Sequence, residues 1–383
     1  MEHISHVIVG FLVALFVCYV LSFFSARICS LITRPDLTAR QATHVRPTLR
    51  LGGVGIIAGI WVVALTTKND LLLILLACSL PVLITGFLED VGFAQSATAR
   101  LLAAALSSVI VITITGTHIQ NSGTSLLDYL LTITPFAILL TIFATVGLIH
   151  AFNLIDGVNG LGGSVALVAA LGLAWIGYRA GVDVMELPVA AVAGSILGFL
   201  VLNYPLGRIF LGDAGAYTVG FLLAWMAVFL LAEFPTVSPW ALILLFFWPI
   251  ADTLLAIYRR LVLRAPIGAP DRLHAHHVAM RLIEIVVLQR RDRRFSNPMA
   301  TLAVVPLILP PALVGVLLWN DPLLSGIALI GFAVLFVGFY HLAIARVRRL
   351  RAAAKVMRRR HKPTVPAPAD TIFAESKVLE VNN

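Results

Sequence analysis

FLGDAGAYTVGFLLAWMAVFLLAEF, residues 210–234, opens on a glycine-flanked aspartate and then runs from 215 to 232 without a charge. As a helix that run covers about 27 Å, close to the ~30 Å hydrocarbon core of a bilayer. Runs of the same kind recur near 7–26, 52–67, 71–88, 98–116, 133–150, 161–180, 187–203, 238–258, 301–319 and 323–345. They predict an all-α, polytopic integral membrane protein with about eleven transmembrane helices. The composition agrees: of 383 residues 60% are hydrophobic and only 12% charged, which is not the make-up of a soluble domain.

The basic residues give an orientation. Sorted between alternate loops, the 28 Lys and Arg divide 26 to 2, with only Lys68 and Arg179 on the poorer side. The richer side holds Arg27 to Arg50, Arg100, Arg208, nine arginines between Arg259 and Arg294, and the residues from Arg346 onward. The positive-inside rule makes that side cytoplasmic, placing the N-terminus outside and the C-terminus inside. No basic residue precedes the first apolar run and Arg27 follows it, which reads as an uncleaved span. The chain divides into a transmembrane domain, 1–345, and a basic cytoplasmic tail, 346–383, disordered at its Pro-rich and polar end. The net charge of +9 calls for no nucleic acid, because arginines beside a last span contact anionic lipid headgroups. Cys18, Cys29 and Cys78 have no metal or redox spacing and read as packing residues.

Carboxylates do not set topology, so their positions say more about chemistry. Few fall in the middle of a span; they gather at the cytoplasmic edge, where a water-soluble substrate meets a lipid one. That pattern favours an interfacial enzyme over an ion or proton pathway, whose acids lie near the midplane. GFLED ends the third span with Glu89 and Asp90, two acids at the already negative end of a helix. A cation or a functional role offsets that cost, and two solvated loop acids would look the same. NLIDGVNG, 153–160, brings Asn153 and Asp156 beside glycines that let backbone approach a phosphate. A plain interhelical turn is the equal alternative. Asp213 stands where an N-cap would stand, and capping alone accounts for an Asp there. A hard cation, however, binds through one or two carboxylates plus substrate phosphates, which separate acids converging on a diphosphate would supply. Asp252 lies inside the ninth span and needs a partner, either a neighbouring basic or hydroxyl group or a ligand. PDRLHAHH then adds Asp271, Arg272, His274, His276 and His277, a set that suits phosphate better than zinc, although a solvated histidine loop would read the same.

Six motifs in order, HVRPTLRLGG (44–53), GFLED, NLIDGVNG, NYPLGRIFLGDAG (203–215), ADT (251–253) and PDRLHAHH (270–277), resemble those of the polyprenyl-phosphate N-acetylhexosamine-1-phosphate transferases. That family includes the phospho-N-acetylmuramoyl-pentapeptide transferase of peptidoglycan synthesis. The resemblance implies that the phosphate of undecaprenyl phosphate attacks the sugar-linked phosphorus of a UDP-sugar, giving a lipid diphospho-sugar and UMP. It also implies Mg²⁺, with Mn²⁺ as substitute, a bacterial inner-membrane location with a cytoplasmic site, and a homodimer. By resemblance Asp213 and Asp156 hold the metal, Asp90, Glu89 and Asp156 are catalytic, and Asp90 acts near the attacking phosphate as base or by positioning. Asn153, Asn159, Asn203, His44, Arg50, Asp252, Arg272, His274, His276 and His277 bind substrate.

Two departures stand out: Glu89 occupies the place of the first of two paired aspartates, and Asn159 the place of a second Asp. Glu89 keeps the charge on a longer arm, whereas Asn159 removes it. The span count and basic tail lean toward the hexosamine branch starting a surface polysaccharide such as lipopolysaccharide O-antigen, with N-acetylglucosamine as the default sugar. The alternatives are the peptidoglycan enzyme, a transporter or flippase, and a catalytically silent scaffold. No internal repeat of the kind transporters carry is found.

Overall fold

The computed structural model describes residues 2–32, 48–264 and 273–360, and there the chain is helical with no strand. The order is α1 (Glu2–Phe23), α2 (Ser25–Ile32), α3 (Gly52–Thr67), α4 (Asp70–Cys78), α5 (Leu80–Asp90), α6 (Ala97–Thr115), α7 (Ser125–Leu131) and α8 (Thr134–Ile155). It continues with α9 (Leu161–Ala180), α10 (Asp183–Asn203), α11 (Gly212–Glu233), α12 (Pro239–Leu245), α13 (Phe247–Val262), α14 (Ala275–Leu282), a π-helical turn (Ile283–Val287), α15 (Arg293–Leu317) and α16 (Pro322–Arg360). Helices are the form this sequence must take, because hydrocarbon offers backbone amides no partner and only a helix satisfies them within its own segment.

All eleven apolar runs fall on helices, but not all on straight ones. Eight helices are each long and apolar enough to cross a membrane, and two bent pairs raise the number to ten. α4 and α5 meet at 50°, with the Ser79 hydroxyl turned back onto the Leu76 carbonyl and Pro81 in the first turn of α5. α12 and α13 meet at 83°, so the expected straight span 238–258 is a seven-residue helix followed by one turned almost perpendicular. The remaining run, α3, has 16 residues. α16 passes unbroken through the expected domain boundary at 345, and its 39 residues extend about 58 Å, well beyond the hydrocarbon core.

α11 is the central post. Every residue from Gly212 to Leu231 is buried, and α3, α5, α8 and α9 pack around it. α16, equally apolar, instead exposes Leu323, Ile327, Ile330, Val334 and Phe339, an arrangement suited to lipid. Apolar side chains gain little by leaving lipid, so close packing of small residues brings such helices together. Gly53 and Gly215 face each other across the α3–α11 crossing, and Gly86 lies against the Ala214 backbone, so α3, α5 and the start of α11 approach at backbone distance. The segments before α3 and α11 also pair: Phe210 N–H donates to the Leu49 carbonyl (2.9 Å), and the Gly52 and Gly53 N–H groups donate to the Phe210 and Leu211 carbonyls (both 2.8 Å). This pairing carries Arg50 to Asp213.

Candidate active site

Asp213 lies in the first turn of α11, two residues inside the cap position its sequence suggested. The cap position belongs to Leu211, and the carboxylate that caps α11 comes from another helix. Asp90, at the end of α5, accepts the Asp213 N–H on Oδ1 and the Ala214 N–H on Oδ2, both at 2.9 Å. Capping therefore does not account for Asp213. Gly212 makes the geometry possible: its φ of +76° suits glycine, and a Cβ there would collide with the Arg50 carbonyl and the Asp90 carboxylate.

The Asp213 side chain faces cations. Its Oδ1 accepts from an Arg50 terminal nitrogen at 2.6 Å, and Arg100 stands 3.7 Å from Oδ2. Arg50 Nε is 3.6 Å from Asp90 Oδ1, so one half-exposed guanidinium bridges both acids. One turn further along α11 from Asp213, Tyr217 holds the His150 ring edge-on at 5.2 Å. Glu89 points elsewhere, accepting the Gln95 N–H at 2.5 Å and closing the loop between α5 and α6.

Asp156 follows the last residue of α8, with Asn153 one turn earlier. Its carboxylate lies over Gly162 in the first turn of α9, at a spot a side chain would fill. Burial pushes the Asp156 carboxyl up to about 7; Arg50 opposes the rise and Asp213 adds to it. Among the described residues no hydrogen bond or ion pair engages that carboxylate. Asn203 is otherwise occupied and Asn159 in part, its side-chain oxygen being buried without a hydrogen-bond partner among the described residues. The Asn159 side-chain amide donates to the Pro205 carbonyl (3.2 Å). Asn203 accepts the Gly160 N–H (2.6 Å) and donates to the Ile209 carbonyl (2.8 Å). Both hold loops in shape.

On the far side of the Asp156 loop stands α14. Asp252, fully buried on α13, accepts from His274 Nδ1 (2.9 Å) and from the Ala275 N–H (2.9 Å), so its partner is a histidine and a helix start. The His274 ring stacks on His276 at 5.7 Å, and His276 lies 4.2 Å from His277. His276 is buried against Gly157, next to Asp156. Burial and the two neighbouring rings push His276 well below the usual histidine value, so it is neutral near pH 7. Contacts thus join Arg100, Asp213 and Arg50 on one side, and run from Gly157, the neighbour of Asp156, to His276 and His274 on the other. His44 and Arg272 lie outside the described residues.

In the sequence Arg100 serves only as a topological marker, and neither His150 nor Tyr217 belongs to a motif. The signals were present: a lone arginine at the start of an apolar helix, and a histidine three residues before Asn153 on the same helix face. Among the described residues no three His, Cys, Asp or Glu side chains form a metal cage. The donor set does suit a hard cation that takes one or two carboxylates and completes its shell with phosphate and water, with Asp156 and Asp213 as the carboxylates.

Glycosyl transferase family 4 matches residues 72–231, which include Asp90, Asp156 and Asp213. A decaprenyl-phosphate N-acetylglucosaminephosphotransferase of Mycolicibacterium smegmatis is 30% identical over 295 residues, 65% of this chain and 68% of the relative. A probable undecaprenyl-phosphate N-acetylglucosaminyl 1-phosphate transferase of Bacillus subtilis is 28% identical over 287 residues, 73% of this chain and 78% of the relative. An undecaprenyl-phosphate alpha-N-acetylglucosaminyl 1-phosphate transferase of Salmonella typhi is 28% identical over 258 residues, 66% and 69% of the two chains.

Proposed function

Because the chain belongs to glycosyl transferase family 4, we propose that it transfers N-acetylhexosamine-1-phosphate from a UDP-sugar to undecaprenyl phosphate, releasing UMP and starting a lipid-linked surface polysaccharide. The observation that carries the reading is the meeting of Arg50 and Arg100 on Asp213 at the end of a fully buried apolar helix, with the Asp156 carboxylate, which no hydrogen bond engages among the described residues, within the field of Arg50. The relatives named for N-acetylglucosamine support that sugar over a muramoyl-pentapeptide.

In the reaction an oxygen of the lipid phosphate forms a bond to the sugar-linked phosphorus, and the bond from that phosphorus to the bridging oxygen breaks, so UMP leaves with the electron pair. Two anions must approach and charge accumulates on the leaving phosphate; fixed cations that need no reorganisation lower that barrier. The contacts of Arg50 and Arg100 with Asp213 support that role for them. Asp156 and Asp213 would hold Mg²⁺, which would neutralise phosphate charge when bound. Asp90, with both oxygens on the α11 amides, positions Asp213 and Arg50, so of the two roles the resemblance implied for it, positioning is the one the geometry supports. His274 and His276 would meet the diphosphate from the other side, with Asp252 orienting His274.

The arginines gathered at this edge support a cytoplasmic site in a bacterial inner membrane. The exposed Arg346, Arg348, Arg349 and Arg351 on α16 suit anionic headgroups.

The test is UMP release by purified protein given undecaprenyl phosphate, Mg²⁺ and a panel of UDP-sugars. Release that requires the lipid, the metal and one sugar is expected. A folded wild type that releases nothing across the panel would overturn the proposal.

A further inference from the structure

The loop that carries Asp156 has an unusual support. The Asp156 N–H donates to the Asn153 carbonyl at the end of α8 (3.3 Å), but its carboxylate makes no hydrogen bond among the described residues, so the place of that carboxylate depends on the backbone on either side, 157–160 included. Asn159 lies in that backbone, buried and outside any helix, and its N–H and C=O would otherwise be left unpaired. Both are satisfied from α15. The Asn159 N–H donates to Asn297 Oδ1 (2.8 Å), and the Thr301 hydroxyl donates to the Asn159 carbonyl (2.6 Å). Asn297 and Thr301 are four residues apart and share one face of α15. They are 2% and 3% exposed, and the family match stops at 231, far short of them. The residue just before, the fully buried Ser296, donates its hydroxyl to Glu284 Oε1 (3.2 Å) in the π-helical turn that continues α14. The start of α15 therefore touches both halves of the site: the Asp156 loop through Asn159, and the histidine helix through Glu284.

We infer that the first turns of α15 form a brace that fixes the Asp156 loop against the histidine helix, with Asn297 and Thr301 as positioning residues for the transfer reaction. The inference rests on the function proposed above. Neither side chain touches the reacting groups; each acts through the Asn159 backbone. Its chemical content is narrow. The acceptor at 297 and the hydroxyl at 301 matter, and the rest of each side chain is replaceable by an isostere.

The test compares Thr301→Val, which keeps the shape and removes the donor, with Thr301→Ser, which keeps the donor, and adds Asn297→Leu. Ser325→Ala is the control, because it removes a buried hydroxyl paired with Ser238 at 2.7 Å on the far helices. Amide hydrogen exchange of peptides covering 153–163, read in detergent, reports the brace without any turnover. In Thr301→Val and Asn297→Leu that segment is expected to exchange at least about tenfold faster, as expected for amides that lose a native restraint. kcat is expected to fall about tenfold while KM for the UDP-sugar stays near wild type, because orientation and not binding is lost. Thr301→Ser restores both, and Ser325→Ala changes neither. Wild-type exchange in Thr301→Val and Asn297→Leu overturns the brace. So does a general rise in exchange that Thr301→Ser fails to correct, which marks a merely structural role. A wild type without UMP release defeats the proposed function, and the exchange pattern then still decides whether the brace exists.

Discussion

Asp90 and Asp252 are both buried acids, and each caps a helix other than its own, yet they build different things. Asp90 gives both oxygens to the first amides of α11 and is backed by Arg50, so it fixes the position of Asp213. Asp252 divides its oxygens between the first amide of α14 and the His274 ring, so it fixes a side chain as well as a helix. A carboxylate accepts, which places the proton of that bond on Nδ1 and leaves Nε2 of His274 for other work. Asp213 and Asp156 differ from both: one faces guanidinium groups and the other faces a glycine surface. The site is thus made of acids that hold the frame and acids that remain available for chemistry.

Removing an available acid should have the largest effect. Asp213→Asn keeps the size and the α11 amide contacts but removes the charge, and UMP release is expected to fall by about 10²–10³-fold, the usual cost of losing one group that acts on developing charge. Its thermal midpoint should fall less than that of Asp90→Asn, because the ion pairs to Arg50 and Arg100 weaken while the caps on α11, which come from Asp90, stay in place. Asp90→Asn tests the frame. Its Nδ2 would face an amide donor, and Arg50 would lose part of its support, so a stability loss of about 2 kcal/mol is expected together with lower activity. Thermal unfolding followed beside UMP release separates the two classes. If Asp90→Asn abolished turnover at unchanged stability, Asp90 would join the acids that act on substrate, and the comparison would break.

Much of this frame was legible from residues. The glycine-flanked Asp213 before an unbroken apolar run marked both a span and a site, because apolar length and a lone acid at its edge are local signals. Glu89, Asp90, Asp156 and Asp252 stood out for the same reason. Their partners did not, because each lies far along the chain: 123 positions separate Asp90 from Asp213, and 138 separate Asn159 from Asn297. Asn159 and Asn203 read as ligands, while the structure places their amides on loop backbone. The bends at Ser79 and Phe246 were also hidden, since an apolar run has the same composition whether straight or turned by 83°.

Smaller effects sharpen the same contrast. Asp252→Asn retains a carbonyl oxygen for one of its two donors, so α14 should stay folded while His274 loses its fixed orientation. A fall of about tenfold in kcat at nearly constant stability is expected, an orientation loss and not a binding loss. A drop in stability with kcat untouched would instead make Asp252 a helix cap and nothing more.

Glu89 should respond least, although it sits beside Asp90 in the chain and carries the same charge. Its carboxylate turns toward Gln95 and closes a loop through one backbone N–H. Glutamine at this position keeps an acceptor oxygen on an arm of the same length, so Glu89→Gln leaves that bond in place and removes only a partly buried charge. Changes of this kind stay within about 0.5 kcal/mol, or less than about threefold in rate. A loss by Glu89→Gln comparable to that of Asp213→Asn, measured as UMP release at saturating UDP-sugar, would mean that the longer arm swings from the loop into the reaction. It would then be an available acid, and the division between frame and chemistry would have to be drawn between Glu89 and Asp90 themselves.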